Sequence, residues 1–546
     1  YKADASCFAL CSGENRIENV TIETDDEAIT VALNCENAVI KKSKITKKYE
    51  GWSFGAIQCH AANGNVELDD VEVEAENGHA LRFTKGIITI NGGTYTAKNG
   101  YVIGPTDNEN EDLNLTINGG TFQGNDRYTV ASFGCYQGYR DRICNIQIHG
   151  GRFVGGQLLA FYGSSAKTLT IDGDTTFEST GSTLDAVVVG NGQLIFDSGT
   201  IEVSGGSERS ALRTFERGEA IVNGGTFKGA KYDIYERNRD VYRGLPPCRV
   251  QLNAATFDDN VCNVYLEEDR QIDVAQNYTG QVTIECKDPK DGRQLTKATE
   301  TDYQKNLNLT SANEDYLVAY KKTESGEYRY LAKKVGVTIE GLENAVIKEG
   351  ESKNFTVKVD PKDNAKLGEA VIDFGDKNSE IEYKDENDKY VPMPNDGLPI
   401  DKNDYAFRIT PKNAGEQTLT AAVVRDAVKL GTAEENFTVA GRVHTTVTIE
   451  GLENAVIKEG ESKDFTVKVD PKDDTGKGKI DFGGKNGEVQ YKDGDDWKDM
   501  PADGLEIDLD DGAKDYEFRI TPKETGKQTL TAAVKKDENE LARDEK

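Results

Sequence analysis

Arginines and aromatic residues recur at matched places along the first half of the chain, and together they could hold a sugar ring or a carboxylate. Leu81, Val102, Leu159, Val187, Leu212, Ile234 and Val264 align as inward positions of successive short apolar runs. Their successors, Arg82, Ile103, Ala160, Val188, Arg213, Tyr235 and Tyr265, then fall on the outer face, because side chains alternate sides along a strand. Two residues further on, again outward, come Thr84, Pro105, Tyr162, Gly190, Phe215, Arg237 and Glu267. The loops beside them add Tyr136, Gln137, Tyr139, Arg140 and Arg142, then Tyr232, Arg239, Tyr242 and Arg243. Aromatic rings stack on sugars or anchor a protein partner, and arginine holds carboxylates bidentately. Arg82, Tyr136, Tyr139, Arg140, Tyr162, Arg213, Phe215, Tyr235, Arg237 and Tyr242 are therefore the candidate ligand-binding residues, for an acidic glycan or a glycoprotein. The plain alternative is that the arginines balance nearby acids while the aromatics cover edges.

Such rows exist only if the runs stack, and a repeat indicates that they do. Ile90-Asn91-Gly92-Gly93-Thr94-Tyr95 returns as Leu115 to Phe122 and as Ile146 to Phe153, with worn copies at Asp172, Asp197, Asn223 and Asn253. Measured from the first residue of each tetrad, the steps are 27, 31, 23, 25, 26 and 30 residues. A period of this size means stacked supersecondary units. Each unit has an alternating apolar run, such as Leu113, Leu115 and Ile117, then a glycine pair that turns the backbone, then a second short run. No helical pattern lies between copies. Strand, turn, strand, turn is one coil of a parallel β-helix, right-handed by the general twist preference. Weaker copies at Ile17–Ile22, Val39–Ile45 and Val66–Val73, with Gln281–Ile284 as the last, extend it to roughly ten or eleven coils and a rod of about 50 Å.

The chain carries 66 basic and 96 acidic side chains, a formal net charge of −30, which argues against a nucleic-acid or anionic-membrane partner. No apolar run is long enough to span a bilayer, so no membrane insertion is expected. Tyr1 opens the chain without a signal peptide, and the chain is read as a piece of something longer. Nine cysteines lie between Cys7 and Cys286. Cys11, Cys35 and Cys59 are spaced 24 and 24, like Cys262 and Cys286, as stacked inward thiols would be; Cys135 and Cys144 are placed to form a disulfide instead. Four histidines and no paired Cys-x-x-Cys make a zinc site unexpected. The run Asp107 to Asp112 hints at Ca²⁺ without the fixed ligand spacing of a calcium loop, so no cofactor is expected.

The second half is a duplication. Val337 to Ser352 recurs word for word as Val447 to Ser462, and Phe407 to Lys412 matches Phe518 to Lys523. Short alternating strands bounded by Asp-Pro and Gly turns fit β-sandwiches of about a hundred residues. The organisation expected is a β-helix head over 1–286, a cap or connector over 287–334, and sandwich repeats over 335–441 and 442–546. The first copy ends with Asn436-Phe437-Thr438-Val439, and the second is expected to lack that last strand or borrow one.

The Asn-Gly-Gly-Thr coils resemble pectate-lyase-like right-handed β-helix proteins over about 290 residues, and the tandem sandwiches resemble the immunoglobulin-like stalk repeats of bacterial cell-surface adhesins. The fold class expected is thus all-β, a right-handed parallel β-helix followed by two tandem immunoglobulin-like β-sandwiches. The first family includes lyases, hydrolases and non-catalytic binders. Its lyases would show Arg-x-Pro-x-x-Arg, and Arg243 to Arg249 has its proline one place late. Its hydrolases would show Asn-Thr-Asp and Gly-His-Gly, whereas His149-Gly150-Gly151 lacks the first glycine. His149 stands where Asn91 and Asn118 stand in other coils, and Asp69-Asp70 lies likewise in a turn. Many such stalks carry a Lys–Asn isopeptide bond beside an acidic residue; Lys358 and Asn436 are among the candidate partners here, but spacing singles out no pair and the bond is not expected. The expectation is a monomeric, non-enzymatic adhesin on a bacterial surface, binding a host glycan or glycoprotein; a polysaccharide lyase or hydrolase, or a bare spacer, are the alternatives.

Overall fold

The computed structural model describes residues 7–546 except 26–27, 32–34, 49–54, 61–63, 105–112, 135–143, 163–166, 182, 205–208, 238–247, 259–261, 302, 361–366 and 538. Strand accounts for 61% of the chain and helix for 4%, so turns rather than helices connect the strands.

From Phe8 to Ser311 the strands form one continuous set of parallel pairs. Each residue meets its counterpart one coil on: Ile88 pairs with Leu115, Leu115 with Ile146, Ile146 with Leu169, and Leu169 with Leu194. The result is a β-solenoid of about nine turns over residues 13–311, slightly fewer than the repeat count suggests. The ladder also runs past Gln281–Cys286, because Asn308–Ser311 adds a further rung.

Inward side chains explain the stacking. Tyr95, Phe122, Phe153 and Phe177 hold the same place after each tetrad and stack with ring centroids 5.1, 4.6 and 4.9 Å apart, all fully buried. Adjacent rings at this separation add packing beyond the burial of their area. The tetrad glycines are needed where coils touch: Gly93 has φ +96°, and a Cβ there would lie 2.2 Å from the Val71 carbonyl oxygen. Earlier coils make this turn with Asn19, Lys42 and Asp70 at φ 58°, 45° and 54°. Outside the turn, a polar ladder joins the coils, Asn118 donating to Asn91 at 2.8 Å and Asn253 to Asn223 at 2.6 Å. His149 takes its place in this ladder with Nδ1 2.7 Å from Asp172, as expected of a turn residue. Beyond the last rung, Tyr316–Thr323 and Gly326–Lys333 form an antiparallel hairpin, and Leu331 joins the solenoid core.

Two sequence expectations need correction here. Val102 does not align with Leu81; Ile103 does, and Gly104 pairs with Arg82. Ile103 is therefore a buried inward residue and not part of the outer row. The spacing of 24 does not stack the thiols either. Cys59 lies in register with Val31 and Phe83, Cys35 lies opposite Gly13, and Cys11 is exposed. Cys7, Cys11, Cys35, Cys59, Cys262 and Cys286 are free thiols, while the Cys135–Cys144 pairing falls outside the described residues.

After the solenoid come separate antiparallel sheets, consistent with β-sandwich domains. Gly336–Glu340, Lys353–Asp360, Asp404–Ile409, Ile381–Lys384 and Tyr390–Pro392 make one sheet, and Thr446–Glu450, Lys463–Asp470, Lys514–Ile520, Val489–Asp493 and Asp496–Asp499 repeat it. The duplicated sequence buries duplicated triads. Phe355, Phe374 and Phe407 lie 5.0–5.8 Å apart, and Phe465, Phe482 and Phe518 lie at the same distances to within 0.1 Å. The second copy does have a closing strand, Asn539–Glu545, paired with Thr531–Lys536. What it lacks is the counterpart of Val346–Lys348, which in the first copy pairs with Thr438–Ala440. The matching residues of the second copy, Val456–Lys458, form no strand. Lys358 and Asn436 are not brought together: Lys358 pairs with Glu340 at 2.6 Å and Asn436 accepts from Thr418 at 2.7 Å.

The chain divides into two compact units. One comprises Tyr1–Gly336 with Asp360–Val371 and Val423–Gly431, and the other holds the remainder. Among the described residues, no helix is long and apolar enough to cross a membrane.

Candidate functional site

Leu212, Ile234 and Val264 are buried in register on three successive rungs, so their neighbours Arg213, Tyr235 and Tyr265 emerge side by side on the outer face. The same outer row includes Arg82 and runs from there through Gly104, Ser132, Ala160 and Val188 to Arg213. Ser132, Ala160 and Val188 are small and buried, and they form a low floor. Beyond this floor, large side chains rise again from Arg213 onward.

Arg213 is held from three sides. Its Nη1 donates to Asp185 at 2.5 Å, and its guanidinium carbon lies 5.3 Å from the Phe215 ring and 5.6 Å from the Tyr235 ring. Such cation–π contacts strengthen as water is excluded. Asp185 is fixed in turn by the backbone N–H of Ser210 at 2.9 Å and its hydroxyl at 2.7 Å. Tyr162 meets Phe215 edge to face at 5.8 Å. It does so across Gly190, where a Cβ would come within 2.5 Å of the Tyr162 ring.

Tyr232, Tyr235 and Tyr265 form a second group with centroids 4.5 to 5.9 Å apart, Tyr235 and Tyr265 crossing at 88°. Tyr235 donates its hydroxyl to Glu267 at 2.6 Å. Burial, and then that carboxylate, push the Tyr235 phenol well above its ordinary range, and burial pushes Tyr265 up to about 12. Both phenols are therefore neutral hydrogen-bonding groups at physiological pH. Lys231 lies 5.1 Å over the Tyr232 ring, and Lys287 reaches Glu267 at 4.0 Å.

Beneath this surface is a buried charge cluster. Glu236 is fully buried with Arg249 Nε 3.5 Å away, and burial pushes its carboxyl up to about 8 against the pull of Arg249 and Arg270. Arg249 also donates to the Arg237 carbonyl at 2.6 Å, which anchors the backbone beside Tyr235.

Of the ten sequence candidates, the structure brings together Tyr162, Arg213, Phe215 and Tyr235, with Arg237 beside Tyr235. Arg82 does not join them. It lies five rungs away, about 24 Å at the inter-strand spacing, with Nη1 3.4 Å from Gln58. Tyr136, Tyr139, Arg140 and Tyr242 lie outside the described residues, as does the Asp107–Asp112 run. Sequence reasoning missed Asp185, and it did not single out Glu267, Tyr232 and Tyr265. The available signal was the coil period, since Asp185 lies 28 residues before Arg213. Among the described residues, no group of three or more His, Cys, Asp or Glu side chains is placed to hold a metal ion.

No family model matches the chain, and no curated protein matches it. Solved structures that resemble parts of it include domains 5–6 of the S-layer protein SbsC (14% identity, 38% of this chain and 94% of that one, TM-score 0.14). Bovine butyrophilin is similar at 13% identity over 39% of this chain and 97% of that one, TM-score 0.14. Escherichia coli α2-macroglobulin activated by porcine elastase is similar at 11% over 42% and 23%, TM-score 0.14. At these values the likenesses carry no argument about fold or function.

Proposed function

We propose that the solenoid is the ligand-binding head of a bacterial cell-surface adhesin, and that the sandwich repeats serve as its stalk. In this reading the head is a non-catalytic relative of pectate-lyase-like β-helix proteins, and the stalk is built of immunoglobulin-like repeats. The ligand is a host glycan or glycoprotein, bound by a monomer outside the cell. One observation carries the proposal: the partly buried rings of Tyr162, Tyr232, Tyr235 and Tyr265 form, with Phe215 and Arg213, one linked set of contacts on one outer face of the solenoid. Rings held rigid by their neighbours lose little entropy when a sugar face stacks on them.

The test is binding of the full chain to immobilised glycans and glycoproteins, with and without Arg213→Ala, Tyr235→Ala and Arg237→Ala combined. Binding that is lost in the triple variant, with the melting temperature of the fold retained, supports the site. Binding that survives it places the contact elsewhere. New reducing ends or unsaturated products from any polysaccharide would replace the adhesin reading with an enzymatic one.

A further inference from the structure

We infer that the face around Arg213 selects an uncharged sugar unit over one bearing a carboxylate. This deepens the sugar-binding reading and rests on it. Rows of arginine in the sequence point to an acidic ligand, but the geometry removes the main cation from use. Gripping a carboxylate takes two parallel N–H groups on one free guanidinium edge. The Arg213 edge formed by Nη1 and Nη2 is engaged through Nη1 by Asp185 at 2.5 Å, Nε on the other edge is buried, and Phe215 and Tyr235 flank the group. A ligand carboxylate would have to displace Asp185, whose side chain is only 12% exposed, and leave that charge without its partner.

What the face offers instead is ring surface and hydrogen-bond acceptors. Along the outer row Arg213 is followed by Tyr235, Tyr265 and then Glu285, and Glu267 lies under the Tyr235 hydroxyl. Carboxylates accept hydrogen bonds from sugar hydroxyls and repel a uronate or sialic acid at the same distance. The nearby lysines are engaged as well, Lys287 with Glu267 and Lys231 over Tyr232. Among the described residues, Arg237 is the further cation beside Tyr235, set against Glu267 and Glu285 and a chain of net charge −30. Axial C–H faces of a neutral pyranose match the rings, and its hydroxyls match the acceptors.

The decisive comparison uses one sugar in two charge states: an oligoglucuronate and its methyl ester, with a glucose oligomer beside them, titrated against the full chain. The neutral ester or the glucose oligomer is expected to bind at least about tenfold more tightly than the free acid. Affinity for it is expected to change less than about threefold between about 0.05 and 1 M NaCl, since no ligand charge is screened. Asp185→Asn, which releases the Arg213 edge, is expected to raise affinity for the free acid and narrow the gap. Equal or tighter binding of the free acid to the unmodified chain overturns the inference, while leaving the sugar-binding face intact. Steep weakening of neutral-sugar binding by salt overturns it too, and needs no variant. If none of the three binds and no other glycan does, the sugar-binding reading itself falls, and this inference with it.

Discussion

Asp185 and Arg213 stand on neighbouring rungs and close a salt bridge at 2.5 Å, with 12% and 20% of their side chains exposed. Removing the arginine leaves a largely buried carboxylate held by Ser210, with Arg209 nearby. Arg213→Ala is expected to cost about 1–3 kcal/mol, and Arg213→Ala with Asp185→Ala less than the sum of the single changes. A double-mutant cycle by urea denaturation reads the coupling, expected at about 1–3 kcal/mol. Additive single changes would show that the pair does not support the outer face.

Phe153 is the middle of the inward stack, with Phe122 and Phe177 on either side at 4.6 and 4.9 Å. Phe153→Ala opens a cavity that two rigid rings cannot collapse into. The expected loss is about 3–5 kcal/mol. Ile87, 46% exposed in the strand Gly86–Asn99, is the control, and Ile87→Ala should stay within about 0.5 kcal/mol. Denaturant midpoints of the two variants decide this.

Glu236 makes stability fall as pH rises. Its carboxyl titrates near 8 in the fold against an ordinary 4.5, so the folded chain holds a proton that the unfolded chain has released. That contribution is complete below 4.5 and is lost as pH rises through 8. Melting temperature should therefore decline between about pH 5 and 8.5 by more in the parent than in Glu236→Gln, which stays neutral throughout. Parallel curves would show that Glu236 is ionised in the fold.

His79 acts in the opposite window. Burial first, then Lys47 and Arg82, lower its imidazole to about 4 from an ordinary 6.5. The unfolded chain binds the proton first, so the stability this residue contributes is present above 6.5 and lost as pH falls through 4. His79→Phe, beside the Tyr101 ring 5.3 Å away, should flatten the acid side of the profile. An unchanged acid limb between parent and variant would contradict the shift.

The solenoid was legible because one signal repeats: glycine after an alternating run, where a Cβ would strike the coil below, as Gly93 shows against Val71. The registers between tetrads were less so. Tyr101-Val102-Ile103 offers adjacent apolar residues with no polar one to mark the outward side, so the pattern points to Val102 where the register takes Ile103. Cysteine spacing misled for a related reason: the turns vary in length, so equal steps in sequence are not equal steps around the coil. The face at Arg213 and Tyr235 followed from strand alternation alone. Its separation from Arg82 did not, because it depends on counting the small residues between, Gly104, Ser132, Ala160 and Val188. Asp185 was hidden because its partner is reached across the coil rather than along the strand.

The parallel ladder has a consequence for how such a chain can change over generations. Leu115 pairs with Ile88 below and Ile146 above, and nothing in that ladder asks for a third rung. A duplication or loss of one whole coil keeps inward residues facing inward on both sides of the seam, whereas a slip of one residue turns the interior side chains of a strand outward. Length is thus a freely adjustable character of this molecule in units of one coil, and recombination between neighbouring coils could lengthen its outer face without inventing a new interior.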